Sequence, residues 1–555
     1  MNTRSRRSFS TRWLRYLFFI FLVALVVFWR VRGRAFADVA SDGASAIPEA
    51  PVAYMSNAEA VDLLGHPTFE NAWAHERSLP QHTKTSRIVA GRHKPRYVSS
   101  ASKCHLLTST KDICAFQMHL GERAGIMSSR NSTSQPPPMR GHLTTHRLLN
   151  AHLAQLSDRA YVFPAYIPRD HPPFPDTLPN GTRHMLHIPM NAFVAGPVAG
   201  GPLSDDPTAD ILTRRSISEE WWDIVCPRKS VKVLNVYHVH NEFGYNPEAV
   251  EGAEILSKWA KKLREMDDMC VSVEEFSIFH YSLIGSPLIL SAWPSYSSSP
   301  VLRQFAWSQL VARAIFENLH AVAPSAPTIP GYLAPIAAIP PNDQNPFVSF
   351  APLRASSAPI PGLLGIHVRR GDYQGHCEFL VAIEAEYNAW NNLGSPEFLA
   401  RAHAAAEKWG IQKGASAAWP QLPDGRTIPA GMAKQDALKQ HCYPEIDHIV
   451  HRAAEVRKGA ASSSPLTTVF IATNGKREWV SKLVHALHLD GWGHVATSMD
   501  LHLGPEAWAV SQAVDMGILS VLAEEFIGVG FSSLSSNVAQ IRLGAGKAAR
   551  TIHFW

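Results

Sequence analysis

A chain of 555 residues is too long for one hydrophobic core, so at least two folded domains are expected. Its 46% hydrophobic and 18% charged residues are those of an ordinary globular protein, which excludes a wholly disordered chain. The formal net charge of +5 is small and owes much to arginines at the extreme N-terminus, so charge gives no sign of a nucleic-acid-binding surface.

The chain opens with Arg4, Arg6, Arg7, Arg12 and Arg15, followed by an uninterrupted apolar run from Tyr16 to Trp29 and then Arg30, Arg32 and Arg34. Extended by Trp13, Leu14 and Val31, with Arg15 and Arg30 snorkelling, the run reaches the length of a spanning helix. Trp13, Tyr16 and Trp29 stand where interfacial aromatics belong, and the excess of arginine before the run predicts a cytoplasmic N-terminus. Ala35-Phe36-Ala37 offers a signal-peptide cleavage site, but an aromatic run with arginine on both sides favours a retained anchor. Either way the rest of the chain enters the secretory pathway. This predicts a cytoplasmic tail over 1–12, a signal-anchor over 13–31 and a stem over 32–100, where no periodicity is sustained.

Six cysteines, Cys104, Cys114, Cys226, Cys270, Cys377 and Cys442, are dispersed without a CxxC pair. That suits structural disulfides in an oxidising compartment rather than a zinc or redox site, although buried thiols fit equally. The sequons at Asn131 and Asn180 would be glycosylated in a luminal domain.

Around Ser128 to Arg140 lies a loop rich in Ser and Pro. From Thr144 to Leu156 apolar residues recur at helical spacing, and Tyr161-Val162-Phe163 reads as a strand. Val250, Leu256, Trp259 and Leu263 share one helical face; so do Val301, Leu302, Phe305, Leu310, Ala314 and Ile315. Dense prolines between Pro324 and Pro361 predict a linker or insertion over 326–361, dividing a domain over 101–325 from one over 362–555. The latter alternates. Strands are predicted at Leu363–Val368, Val469–Ala472, Val495–Ser498 and Phe526–Val529. Helices are predicted on Val480 to Leu487, from Ala507 to Leu522, and from near Ser535 to Gly544. The pattern is that of parallel βαβ units, an α/β fold that binds ligands beyond the carboxyl ends of its strands.

Three segments follow predicted strands. In Gly365-Ile366-His367-Val368-Arg369-Arg370-Gly371-Asp372-Tyr373 the strand runs into two arginines, whose planar donor forks match a diphosphate. An ordinary ion pair between Arg370 and Asp372 would also account for the pattern. In Ala472-Thr473-Asn474-Gly475-Lys476 the polar residues could touch ribose or phosphate, though capping of the next helix explains them fully. In Phe526 to Asn537 a strand ends, Gly530 turns the chain and a helix opens among serines, an arrangement suited to an anion or to plain N-capping. Taken together on one sheet, they favour a nucleotide-phosphate site. No Asp-x-Asp, H-E-x-x-H, G-x-S-x-G or G-x-x-x-x-G-K-[ST] motif is present.

His367-Val368-Arg369-Arg370-Gly371-Asp372-Tyr373 resembles the H-x-R-R-x-D signature of the α1,6- and protein O-fucosyltransferase superfamily. Phe470 to Asn474 and Phe526 to Asn537 resemble its intermediate and C-terminal motifs. His376-Cys377, Tyr387, Trp390-Asn391, Cys442-Tyr443-Pro444, Asp490-Gly491-Trp492, Gln512 to Asp515 and Phe554-Trp555 resemble fungal O-fucosyltransferase-like proteins. The likeness runs from about Cys104 to the end, more loosely in the first half, where Asp158 to Phe163 and Ala195-Gly196-Pro197 carry it. It implies a GT-B-like fold of two Rossmann-like domains facing a cleft. It also implies GDP-fucose as donor, no metal or other cofactor, and inverting transfer to a glycoprotein or glycan acceptor in the Golgi or endoplasmic reticulum. It places His367, Arg369, Arg370, Asp372, Thr473, Asn474, Asp515 (near the guanine), Phe531, Ser532, Ser533, Ser535 and Ser536 at the donor. Arg369 and Arg370 would stabilise the leaving diphosphate. Gly141 to Arg147 stands nearest to the family's glycine-rich N-terminal loop and departs from it, so Glu122 is an alternative source of a catalytic base; Val529 stands where relatives commonly carry Asn. A transferase using another nucleotide-sugar, and a GT-B-fold binding protein without turnover, are the rival readings.

Overall fold

The structure is a computed structural model. It describes residues 67–82, 95–100, 142–166, 187–246, 249–324, 328–338, 346–371, 373–411, 430–460 and 465–555, with a few single positions between them. The expected tail, anchor and sequons lie outside these residues, and no helix among the described residues is long and apolar enough to cross a membrane.

In the first half the strands are β1 (Tyr97–Ser99), β2 (Ala160–Phe163), β3 (Val194–Ala195), β4 (Ile217–Ser218), β5 (Val231–Asn235), β6 (Cys270–Glu274) and β7 (Ala306–Trp307). In the second they are β8 (Leu353–Arg354), β9 (Leu363–Val368), β10 (Thr468–Thr473), β11 (His494–Thr497), β12 (Glu525–Gly528) and β13 (Ile552–Phe554). Two five-stranded sheets result, ordered β4-β2-β1-β6-β5 and β11-β10-β9-β12-β13, and every pairing within them is parallel. A small antiparallel sheet, β3-β7-β8, joins them.

Alternation along the strands covers both faces of the first sheet. Val98, Tyr161, Phe163, Val271 and Val273 enter the main core, which is continuous with that of the second sheet. Their neighbours Tyr97, Ala160, Val162 and Cys270 turn the other way onto Trp222, Val225 and Cys226. A Cys226–Cys270 disulfide closes that face, and Cys377–Cys442 joins two helices of the second half. In the second sheet β9 is buried at every position, as expected of a parallel strand with helices on both sides. Strand order reverses between β9 and β12, and again between β1 and β6, so each sheet has a switch point at its centre.

Several expectations are refined by the structure. Parts of the segment expected as a stem, 32–100, are folded. Helix α1 (Phe69–Arg77) is closed by a Thr68–Asn71 capping box and packs by its buried Ala72 and Glu76, while β1 is the central strand of the first sheet. A strand of three residues is too short to show periodicity. The helix expected across Val301 to Ile315 is broken. Pro300–Arg303 is one turn, β7 follows, and Ser308 caps a new helix over Gln309–Glu317 by accepting from Val311 N–H at 3.2 Å. Both pieces bury their apolar residues, Val301 and Leu302 in one and Leu310, Ala314 and Ile315 in the other, so the apolar pattern runs on across the break. The helix expected over Ala507 to Leu522 is likewise split, at Val510 and again by a wide final turn, Ile518–Leu522. The proline-rich 326–361, expected as a linker or insertion, contributes β8.

The halves meet through a buried polar network. Helix α2 (His142–Leu156) brings Thr145, whose hydroxyl donates to Asn537 Oδ1 at 2.7 Å. Gln540 Nε2 donates to the same Asn537 oxygen at 2.6 Å and to Thr145 Oγ1 at 3.2 Å, while its Oε1 accepts from Tyr296 OH at 2.9 Å. Tyr296 also stacks on Trp390 at 5.3 Å. Removing one member of such a network strands the others without water. Gln540→Ala is expected to cost about 2–4 kcal/mol, because it orphans the Tyr296 hydroxyl and empties a contact. A clearly lowered urea midpoint is the expected reading; an unchanged one would show that water replaces the amide.

Candidate functional site

The carboxyl ends of β9, β10 and β12 gather the three polar segments on one side of the second sheet. Gly371 has φ +56°, and a Cβ there would lie 2.8 Å from Asn474 Nδ2, so the turn after the arginines closes only with glycine. Arg370 N–H donates to Asn474 Oδ1 at 2.7 Å, joining the ends of β9 and β10. Thr473 Oγ1 accepts from Gly475 N–H at 3.1 Å. Neither residue caps the helix that follows, α3 (Arg477–Leu489), as their position suggested. Lys476 occupies the N-cap place without a side-chain bond, because the polar side chains are already engaged at the strand ends.

The two arginines differ. Side chains of extended backbone alternate, which sends His367 and Arg369 to one face and Arg370 to the other. Arg370 is 5% exposed. Its guanidinium carbon lies 3.9 Å from the ring centre of Tyr443 and 4.2 Å from that of Trp479, and its Nη2 donates to the Pro444 carbonyl. Its guanidinium is thus held in packing, where the expectation put it beside Arg369 on the diphosphate. Arg369 is half-buried, rests 4.5 Å from the centre of the Tyr373 ring, and has no ion pair among the described residues. His367 is buried. Its Nδ1 pairs with Ser535 Oγ at 2.8 Å, and that oxygen also accepts from Val529 N–H at 2.9 Å. Burial, helped by the Arg369 cation, holds the imidazole pKa down to about 3, so it is neutral.

The serines belong to helix α4 (Ser533–Gly544) and its cap. Ser532 Oγ accepts from Leu534 N–H at 3.3 Å, and Ser536 Oγ accepts from Trp390 N–H at 3.2 Å. Asn391 Nδ2 donates to the carbonyls of Gly530 at 2.8 Å and Ser532 at 3.3 Å. Phe531 packs edge-on against Tyr387 at 5.0 Å, and a Cβ on Gly530 would lie 2.5 Å from that tyrosine ring. Ser532, Ser535 and Ser536 are therefore buried pins that hold the loop, whereas Ser533 is half-buried at the helix entrance. The first turn of a helix directs N–H donors and a partial positive charge outward. With Arg369 close to the same strand ends, the arrangement suits a diphosphate.

Asp515 lies beyond the carboxyl end of β11. Both its oxygens accept from Ser498 Oγ at 2.9 Å. Burial raises its pKa from the ordinary 3.8 to about 7, against the lowering effect of that hydroxyl. Asp372 and Glu122 lie outside the described residues. Tyr443, Trp479, Trp390 and Asn391 were not expected at the site. Their partners stand tens to more than a hundred residues away, so no local spacing announces them.

The raised pKa has a definite sign. The folded state binds the Asp515 proton more tightly than the unfolded chain, so its contribution to stability falls as pH rises from about 4 through about 7. Asp515→Asn removes that loss. The melting temperature of the variant minus that of the parent should grow more positive between pH 5 and pH 8; a constant difference would show that Asp515 titrates normally.

No family model matches the chain, and no curated protein matches it. Among solved structures it is similar to POFUT1 in complex with GDP, at 12% identity and a TM-score of 0.40 over 76% of this chain and 96% of that one. A crystal form of POFUT1 in complex with GDP-fucose matches at 13% identity and a TM-score of 0.40, with the same coverage. The apo form matches at 11% and 0.39, over 77% of this chain and 99% of that one.

Proposed function

We propose that this chain is a glycosyltransferase that binds a nucleotide-sugar at the second sheet, with GDP-fucose as donor, and transfers the sugar with inversion to a hydroxyl of a glycoprotein or glycan. The observation that carries the reading is the placing of Arg369. A half-exposed arginine without a carboxylate partner among the described residues ends the central strand at a switch point, beside the serine-flanked entrance of α4. The H-x-R-R-x-D likeness of the same segment supports the fucose donor. In this reading no metal or other cofactor takes part. Negative charge that develops on the leaving diphosphate meets the fixed guanidinium and N–H dipoles, which need no reorganisation. Asp515, ionised, would accept from the N–H groups of a guanine.

We place the chain as a single-pass type II membrane protein of the Golgi or endoplasmic reticulum, with the catalytic part luminal. The arginine-flanked apolar run supports this, as do the disulfides Cys226–Cys270 and Cys377–Cys442, which suit an oxidising compartment.

The test is thermal stabilisation of the full-length chain in detergent by GDP, GDP-fucose, GDP-mannose and UDP-sugars. A ligand at 100 times its Kd adds about 2.7 kcal/mol. Stabilisation by GDP and GDP-fucose is expected, and Arg369→Ala should abolish it while leaving the unliganded melting temperature nearly unchanged. A folded chain indifferent to every nucleotide would refute the donor site; stabilisation by UDP-sugars alone would refute the donor. Binding without release of GDP from GDP-fucose would turn the reading to a binding protein without turnover.

A further inference from the structure

A flexible arginine side chain must give up rotamer freedom when it binds an anion, and that loss weakens binding unless the side chain is held beforehand. Arg369 is held by the Tyr373 ring, whose centre lies 4.5 Å from its guanidinium carbon. Tyr373 opens the helix Tyr373–Ala382, of whose residues only Tyr373 and Cys377 are buried. The helix Lys434–Cys442 packs against it and buries little more, Ala437, His441 and Cys442. A helix in a folded protein is held mainly by its buried face, so packing alone anchors this pair weakly. The Cys377–Cys442 disulfide joins them, with its Cα atoms 5.8 Å apart and both cysteines buried. Cys377 stands one helical turn beyond Tyr373, on the same face. The Tyr373 hydroxyl lies 3.7 Å from Cys442 Sγ; a disulfide sulfur carries no proton, so the hydroxyl is the donor. The two residues after Cys442 clasp Arg370, Tyr443 with its ring 3.9 Å from the guanidinium carbon and Pro444 with its carbonyl. One covalent bond therefore joins the supports of both arginines. The disulfide Cys226–Cys270 is differently placed, in the cluster on the outer face of the first sheet, which includes none of the donor residues.

We propose, resting on the donor reading above, that Cys377–Cys442 is a positioning disulfide of the nucleotide site, and that the chain binds a nucleoside diphosphate tightly only with this bond formed. Oxidised, it fixes Tyr373 beneath Arg369 and the Tyr443-Pro444 clasp on Arg370, so the strand end meets the diphosphate with its arginine already placed. A dithiol reductant opens the bond in two exchange steps. The reductant is oxidised to its own disulfide, and Cys377 and Cys442 are left as thiols. The two helices are then held by their few buried side chains, and Arg369 loses its fixed base. Donor binding is thereby confined to an oxidising compartment.

The experiment is calorimetric titration of GDP into the full-length chain in detergent, well below its melting temperature. Cys377→Ser combined with Cys442→Ser should weaken GDP roughly 10–100-fold, the effect of losing one hydrogen bond to a charged group. Cys377→Ala combined with Cys442→Val refills the buried space, guards against a misfolded serine pair, and should weaken GDP equally. Cys226→Ser combined with Cys270→Ser should keep the parental Kd, whatever it does to the melting temperature. Dithiothreitol, once alkylation shows Cys377 and Cys442 reduced, should weaken GDP binding by the parent and leave the Ala/Val variant unchanged. A merely structural bond would lower the melting temperature with the Kd for GDP unmoved, and that result in a folded variant or in the reduced parent overturns the proposal. Equal weakening on loss of Cys226–Cys270 overturns it too, as a general loosening of the fold. A parent chain that does not bind GDP at all removes the donor site itself, and the role of the disulfide with it.

Discussion

The entrance of helix α4 is the element on which the rest depends. Its N–H groups can meet an anion only if the first turn is held still, and buried hydrogen bonds from elsewhere in the chain hold it. His367 reaches it from β9, Asn391 from the loop over Ala389–Gly394, and Thr145 from the first half. Because these partners are buried, losing one leaves its neighbours without water, so the loop is fixed cooperatively rather than by any single contact.

The same packing treats two adjacent arginines differently. Arg370 lies between Tyr443 and Trp479, where a weakly hydrated planar cation can be buried at low desolvation cost, and its backbone N–H ties β9 to Asn474. That packing stiffens the turn in which Arg369 remains half-exposed. Two titratable groups described near these strand ends have shifted pKa values. His367 is neutral, and Asp515 is set apart at the end of β11, where burial makes its charge depend on what binds it.

The alternation of short apolar strands with helical faces made the second sheet legible, because parallel strands covered on both sides need continuous apolar runs. The three polar segments at their ends were visible for the same reason. Two adjacent arginines looked equivalent, yet the period-two alternation that separates His367 and Arg369 from Arg370 was already in the order of residues. The first half was less legible. β1 is three residues long, and β7 interrupts what looked like one helical face, so neither offers enough residues to establish a period.

Local order along the chain therefore set the fold class, the sheet-end positions of the arginines and serines, and the apolar N-terminal run, since each depends on near neighbours and on the periodicity of one element. Tertiary packing decided which arginine stays available, that Thr473 and Asn474 brace strand ends instead of capping a helix, and that Thr145 and Asn537 meet across 392 residues. Those outcomes depend on burial, which only the folded arrangement distributes.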